Sequence, residues 1–199
     1  MELREYFDEL APTWDELVTE ESRGRIAGIV RQLDIGPGCS VLDVGSGTGV
    51  LLSFLIAEMG SQGRIIATDI SGRMLAQAKC KNSGSIVDFA QADAMAIPLA
   101  DRSVDMVICN SVFPHFSDKV RALEEMARVL KNSGSLVICH TMSRAMINEL
   151  HQSIGGMVGD HLLPAEPQLR EQARQAGLTI NRYEDRAERY LVIAEKSRR

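Results

Sequence analysis

The chain has 199 residues, 45% of them apolar and 25% charged, and a formal net charge of −5. That length suits one domain with a full core and is too short for two ample ones, while the acidic balance argues against a broad basic face for DNA or RNA. No apolar run approaches a membrane span, the opening Met1-Glu-Leu-Arg-Glu lacks the apolar segment of a secretory leader, and Cys39, Cys80, Cys109 and Cys139 form no C-x-x-C pair. A single cytoplasmic domain over residues 1–199 is expected, without disulfides, nucleic-acid partner or membrane span.

In chain order, residues 2–19 read as a helical extension with Tyr6, Phe7, Leu10 and Trp14 on related faces, and 22–33 as a second helix closed by Gly36-Pro37-Gly38. Strands and helices then alternate: strand 40–44, helix 51–58, strand 64–69, helix 72–79 with Ser71 as N-cap, and a short strand 86–90. Strand 104–110, helix 119–130, strand 135–140 and helix 144–152 continue the pattern. This alternation implies a parallel sheet with helices on both faces. After a helix over 166–176, stopped by Gly177, the rhythm changes. Two strands, 178–184 and 189–195, are so closely connected that they must pair antiparallel. The expected fold is α/β and Rossmann-like: a doubly wound, mostly parallel seven-stranded sheet ending in an antiparallel hairpin.

The segment Val41-Leu-Asp-Val-Gly-Ser-Gly-Thr-Gly-Val50 is the most informative stretch. An apolar strand carrying Asp43 runs into a turn with Gly45, Gly47 and Gly49, and a helix follows. Strand, glycine turn and helix form the device that holds an adenosine-containing cofactor. A dinucleotide fingerprint wants a third glycine where this chain has Val50, and a pyrophosphate disfavours a carboxylate so close to the turn. S-adenosylmethionine has no phosphate, and its ammonium suits an acid near the loop. A nicotinamide-dependent oxidoreductase and a non-catalytic cofactor-binding protein of the same fold are the alternatives.

On this motif, and on the terminal hairpin, the sequence resembles the class I S-adenosylmethionine-dependent methyltransferases over roughly residues 7–196. The resemblance implies that Asp43, Gly45, Ser46, Gly47 and Gly49 hold the methionine end of S-adenosyl-L-methionine. Asp69, at a strand's carboxyl end, would accept the ribose hydroxyls. Asp93 would face the adenine amino group, the Ala94 N–H would meet the ring, and Asn110 would lie near the sulfonium. The lead-in Tyr6-Phe-Asp-Glu-Leu-Ala-Pro-Thr-Trp14 is similar to that of small-molecule enzymes of the quinone-ring methylating group. It implies that residues 1–35 form a helical lid over the cofactor.

All four histidines lie in the second half of the chain. His115 follows one predicted strand and His140 ends the next, so both are candidate catalytic bases beside the methyl group. His151 and His161 flank Gly155-Gly-Met-Val-Gly159, inside a stretch, 141–165, that suits a flap over the acceptor pocket. A histidine metal site lacks the H-x-x-x-H spacing that would support it, so no metal is expected. Phe113, Phe116, Met142, Met146, Met157, Leu162 and Leu163 suggest a small, partly apolar methyl acceptor as partner.

Overall fold

The structure, a computed structural model, describes residues 2–82 and 86–197. Seven strands are present among them: β1 (Ser40–Val44), β2 (Arg64–Asp69), β3 (Val87–Gln91), β4 (Val104–Asn110), β5 (Leu130–His140), β6 (Leu178–Arg186) and β7 (Arg189–Lys196). They form one sheet in the order β3-β2-β1-β4-β5-β7-β6. The first five run parallel, β7 runs antiparallel between β5 and β6, and the expected α/β architecture is therefore the observed one. The helices are α1 (Leu3–Leu10), α2 (Glu20–Val30), α3 (Leu52–Met59), α4 (Gly72–Lys81), α5 (Lys119–Val129), α6 (Arg144–Ile154) and α7 (Glu166–Gln175).

The central strands are apolar on both faces because both faces are covered. In β1, Leu42 and Val44 pack with Phe113, Leu123 and Met126, while Val41 packs with Ile26, Leu52 and Leu55 on the other side. Asp43 shares the Val41 face and is 1% exposed. The chain reverses direction across the sheet between β1 and β4, which pair through Asp43 and Ile108. That reversal opens a crevice at the strands' carboxyl ends, the place where such sheets bind ligands.

Four boundaries differ from the sequence reading. The helix expected over 2–19 is broken: Pro12, without an N–H, stands in a 3-10 segment Ala11–Leu17 between α1 and α2. Thr19 then caps α2, accepting the Ser22 N–H at 3.1 Å. Helix α5 stops at Val129, because Leu130 turns extended and pairs with Val104 in a lengthened β5. The terminal hairpin turns on Ala187 and Glu188, since Arg186 still pairs with Arg189. Ser71 caps α4 as expected, its Oγ accepting the Met74 N–H at 3.0 Å.

Candidate active site

The glycine loop is shaped by close packing as much as by conformational freedom. A Cβ on Gly45, at φ +68°, would stand 2.3 Å from the Val112 side chain. Only glycine lets the loop after β1 approach the loop after β4 so closely. That second loop is itself strained: Ser111 adopts φ +60°, held by its N–H to the Cys139 carbonyl at 2.9 Å. Gly47, at φ +54°, faces open space in which Trp14 Nε1, at 3.9 Å, is the nearest atom to an added Cβ.

Two buried acids stand beside the loop. Asp69 accepts the Gly47 N–H through one oxygen and the Ser71 N–H through the other, both at 2.8 Å. Burial raises its pKa, and the two N–H donors pull part of the rise back. Asp43 has neither carboxylate oxygen partnered. Burial drives its pKa up to about 7; the adjacent Ser46 hydroxyl offsets part of the rise without completing a well-formed hydrogen bond, and the Asp69 charge adds to it. A buried carboxylate without donors is a costly arrangement. An ammonium beside the loop would supply the missing donors and restore the charge, so these residues fit the methionine end of the cofactor that the sequence implied.

The N-terminal segment lies on this loop. Asp15 accepts the Thr48 hydroxyl at 2.6 Å and pairs with Lys81 at 2.7 Å. Asp8 accepts the Ser71 hydroxyl at 2.6 Å and the Arg73 N–H at 3.2 Å. Phe7 meets the Trp14 ring edge-on at 5.8 Å and the His115 ring at 5.2 Å. The sequence reading named the aromatics of this segment but missed Asp8, Asp15 and Thr48. Thr48 sits inside the glycine motif, yet its partner is 33 residues away in sequence and leaves no local signal.

Asp93 follows β3 and caps its own turn, accepting the Met95 N–H at 2.9 Å; Ala94 is half-buried beside it. The same loop is braced from behind by α5. Glu125, 6% exposed, accepts the Ile97 N–H at 3.0 Å, and Arg128 donates to the Leu99 and Ile97 carbonyls at 2.8 Å. Asn110 ends β4, its side-chain oxygen 3.6 Å from the Cys139 thiol.

The histidines come together. His115 Nδ1 is 3.1 Å from His161 Nδ1, and the His115 ring is 5.0 Å from that of His151. His151 Nδ1 is hydrogen-bonded to the His161 carbonyl oxygen. His140 is 1% exposed, packs on Tyr190 at 5.9 Å, and leaves Nε2 without a partner. Burial lowers the pKa of both His115 and His140 to about 3, helped at His115 by the neighbouring rings of His151, His161 and His140. The sequence reading singled out His115 and His140; the structure gives His115 two closer companions. Phe113, expected in the acceptor pocket, is fully buried core instead. It belongs to one core cluster with Leu123 and Met126 of α5 and with Leu42 and Val107 of the sheet. Asn148 clamps Leu163 through both backbone groups, donating to its carbonyl at 3.1 Å and accepting its N–H at 2.8 Å.

Comparison with known proteins agrees with this geometry. The methyltransferase domain model matches residues 42–138. The ubiquinone/menaquinone biosynthesis C-methyltransferase of Klebsiella pneumoniae is 34% identical over 131 residues, 64% of this chain and 51% of that protein. An arsenite methyltransferase of Halobacterium salinarum is 32% identical over 114 residues, 56% of this chain and 29% of that protein. The chain thus spans about half the length, or less, of the curated relatives it matches. Among solved structures, the putative methyltransferase bound to the Trm112 methyltransferase activator of Haloferax volcanii superposes with a TM-score of 0.82. Coverage is 96% of this chain and 98% of that one, at 20% identity, a likeness of fold. The matched domain and these relatives support a class I S-adenosylmethionine-dependent methyltransferase rather than a nicotinamide-dependent enzyme. Among the described residues no helix is long and apolar enough to cross a membrane.

Proposed function

We propose that this chain transfers a methyl group from S-adenosylmethionine to a small-molecule acceptor in the cytoplasm. The observation that carries the reading is Asp43, a fully buried carboxylate with no donor, directly beside the glycine loop. When bound, the cofactor supplies an electrophilic methyl group on a sulfonium. Asp43, Ser46 and the loop glycines Gly45, Gly47 and Gly49 would hold its ammonium end. Asp69 would accept the ribose hydroxyls. Asp93 and Ala94 would meet the adenine, and Asn110 would lie near the sulfonium. Residues 1–35 act as the lid, with Trp14 above Gly47 and Phe7 against His115, and exclude water from the reacting centre.

His115 is the better placed of the two candidate bases, because its ring lies under Phe7 and makes a hydrogen-bonded contact with His161. Burial lowers its pKa to about 3, so the ring is neutral but a weak base at ordinary pH, and taking a proton from a protic acceptor requires the charge of the bound reactants to raise that pKa. His140 is enclosed between strands and is assigned a positioning role beside His151. Residues 141–165 form the flap over the acceptor, anchored by the Asn148 clamp on Leu163. The named relatives are a ubiquinone/menaquinone biosynthesis C-methyltransferase and an arsenite methyltransferase, names that support a small acceptor here. The net charge of −5 weighs against a nucleic acid. Four free thiols, two of them buried, fit a reducing compartment.

Calorimetry with S-adenosylmethionine and S-adenosylhomocysteine tests the reading. Wild-type protein is expected to bind both. A Gly47→Ala variant, which meets no steric obstacle but is strained at positive φ, is expected to bind more weakly while staying folded. No binding by wild type, or unchanged affinity in Gly47→Ala, would overturn the assignment of the loop.

A further inference from the structure

Beside the histidines lies a charged cleft that neither the glycine loop nor a general base accounts for. We propose, on the reading of residues 141–165 as the acceptor flap, that this cleft holds a carboxylate of the methyl acceptor between Arg144 and Lys119. The substrate class is then a small, partly apolar monocarboxylic acid.

The cleft lies between α5, α6 and the start of α7 and has a volume of about 680 Å³, a size that suits a small ligand. Its charged lining is Lys119, Arg144 and Asp118, and Leu162, Leu163 and Pro164 give it an apolar wall. Arg144 opens α6. The acid beside it, Asp185, accepts its backbone N–H at 2.8 Å. Among the described residues, the Arg144 guanidinium has no hydrogen bond and no ion pair of its own. The neighbouring helices differ: Arg121 and Arg128 on α5, and Arg170 and Arg174 on α7, each hold a glutamate of their own helix. Arg144 thus presents a half-buried planar fork with no acid on it, and that fork matches a carboxylate bidentately.

Lys119 is the second arm. Its ammonium donates to the Pro114 and Phe116 carbonyls, both at 3.1 Å, which leaves one of three donors free. Those two residues flank His115 in the chain, and the Lys119 charge bears on both His115 and His161. The cation therefore stands where the cleft meets the histidines. Burial pushes the Lys119 ammonium below its ordinary pKa, and a bound anion would offset that cost. Asp118, the one acid of the lining, caps α5 by accepting the Arg121 N–H at 2.9 Å. Two cations against one acid leave a single positive charge, which a carboxylate neutralises and a phosphate dianion exceeds. A ligand anchored on Arg144 and Lys119 can lay its carbon body along Leu162 toward His115.

The test titrates the full chain with hexanoate and benzoate, each beside its amide, and with phenyl phosphate, in the presence and absence of S-adenosylhomocysteine. Each acid is expected to bind one to one, at least about tenfold tighter than its amide, and phenyl phosphate more weakly than benzoate. Arg144→Gln is expected to abolish the preference for acid over amide with an unchanged melting curve, Arg144→Lys to restore part of it, and Lys119→Gln to weaken it. Amides that bind as tightly as the acids would overturn the site. So would an acid preference unchanged in both glutamine variants. Phenyl phosphate binding tighter than benzoate would overturn the carboxylate in favour of a phosphoryl group. S-adenosylhomocysteine binding separates the two readings. Cofactor binding without acid preference would sink the carboxylate site alone. Acid preference without cofactor binding would overturn its role as acceptor site and place the fault in the methyltransferase reading.

Discussion

The two ends of the proposed reaction centre are built in opposite ways. The cofactor end is local: Asp43, Gly45, Gly47, Asp69 and Ser71 come from two successive strand-to-helix turns, and the two backbone donors that fix Asp69 lie 22 and 2 residues from it. The acceptor end is assembled from three distant segments and rests on one nitrogen pair and one carbonyl contact. Local construction gives a rigid anion-lined cradle fixed by backbone donors. Distributed construction gives a cluster whose geometry depends on how the segment around residues 155–165 is held. The cradle should therefore fail all at once when an acid is removed, and the cluster by degrees.

Removal of Asp69 is the harshest test. Asp69→Ala loses the acceptor for two backbone N–H groups and for the ribose hydroxyls together. Charge-assisted bonds contribute roughly 1.5–3 kcal/mol each, so cofactor affinity should fall by about 3–6 kcal/mol in calorimetry. The melting temperature should fall as well, since Gly47 and Ser71 lose their partners. Loss of affinity without loss of stability would place Asp69 in the binding role alone.

The acceptor end is probed by His115→Ala. Turnover with an identified protic acceptor should drop about 10²–10⁴-fold while cofactor affinity is nearly unchanged. His140→Ala should act through KM and stability more than through kcat, because the ring is enclosed by Tyr190 and the sheet. Equal turnover in wild type and His115→Ala would leave alignment of the acceptor as the main contribution of this end.

Acidity separates the two ends by sign. Asp43 has a folded pKa raised to about 7 from an ordinary 3.8, so its favourable contribution is complete below about 3.8 and is lost as pH rises through 7. His115 and His140 are lowered to about 3 from 6.5, so theirs is complete above about 6.5 and is lost as pH falls through 3. Each group contributes at most about 1.4 kcal/mol per pH unit between its two pKa values, less for His115, which keeps some exposure. Between pH 4 and 6 the acid opposes the histidines. Asp43→Asn should therefore steepen the loss of stability on acidification, by up to about 1.4 kcal/mol per unit in denaturant titrations, and should raise stability above pH 7. A slope identical to wild type would mean that Asp43 is ionised and solvated.

How much of this was visible in the sequence follows the same division. The motif from Val41 to Val50, the acid at Asp69 and the hairpin were legible because each is written in consecutive residues with a fixed period or turn chemistry. The break at Pro12 was legible in principle, since a proline inside a helical pattern removes a donor. The joining of His115 with His151 and His161 was not. Nothing in a one-dimensional pattern brings the loop after β4 against the segment before α7; that depends on crossover packing and on the Asn148 clamp. The brace of Glu125 and Arg128 behind the Asp93 loop was invisible for the same reason. In sequence the two are ordinary helix charges three residues apart, and only the fold gives them the Ile97 and Leu99 backbone to hold.

The smallest expected effect lies where the N-terminal segment rests on the cradle. Thr48 donates to Asp15 at 2.6 Å, and Asp15 also pairs with Lys81 in a half-exposed ion pair. Thr48→Val keeps the side-chain shape and removes the hydroxyl that donates from the glycine loop to Asp15 of the segment. Asp15 keeps Lys81 and gains water, so the stability cost should be no more than about 0.5–1.5 kcal/mol. Val is acceptable sterically because Thr48 is not among the residues at positive φ. The consequence should appear in rates: a less firmly seated segment leaves Trp14 free to swing from Gly47, so bound cofactor should dissociate several-fold faster with little change in association. Stopped-flow displacement of S-adenosylhomocysteine measures this directly. An unchanged dissociation rate in Thr48→Val, together with a faster one in Trp14→Ala, would put the closure in the aromatic contacts. Unchanged rates in both would mean that residues 1–35 are packed scaffold and that the cradle alone governs how long the cofactor stays.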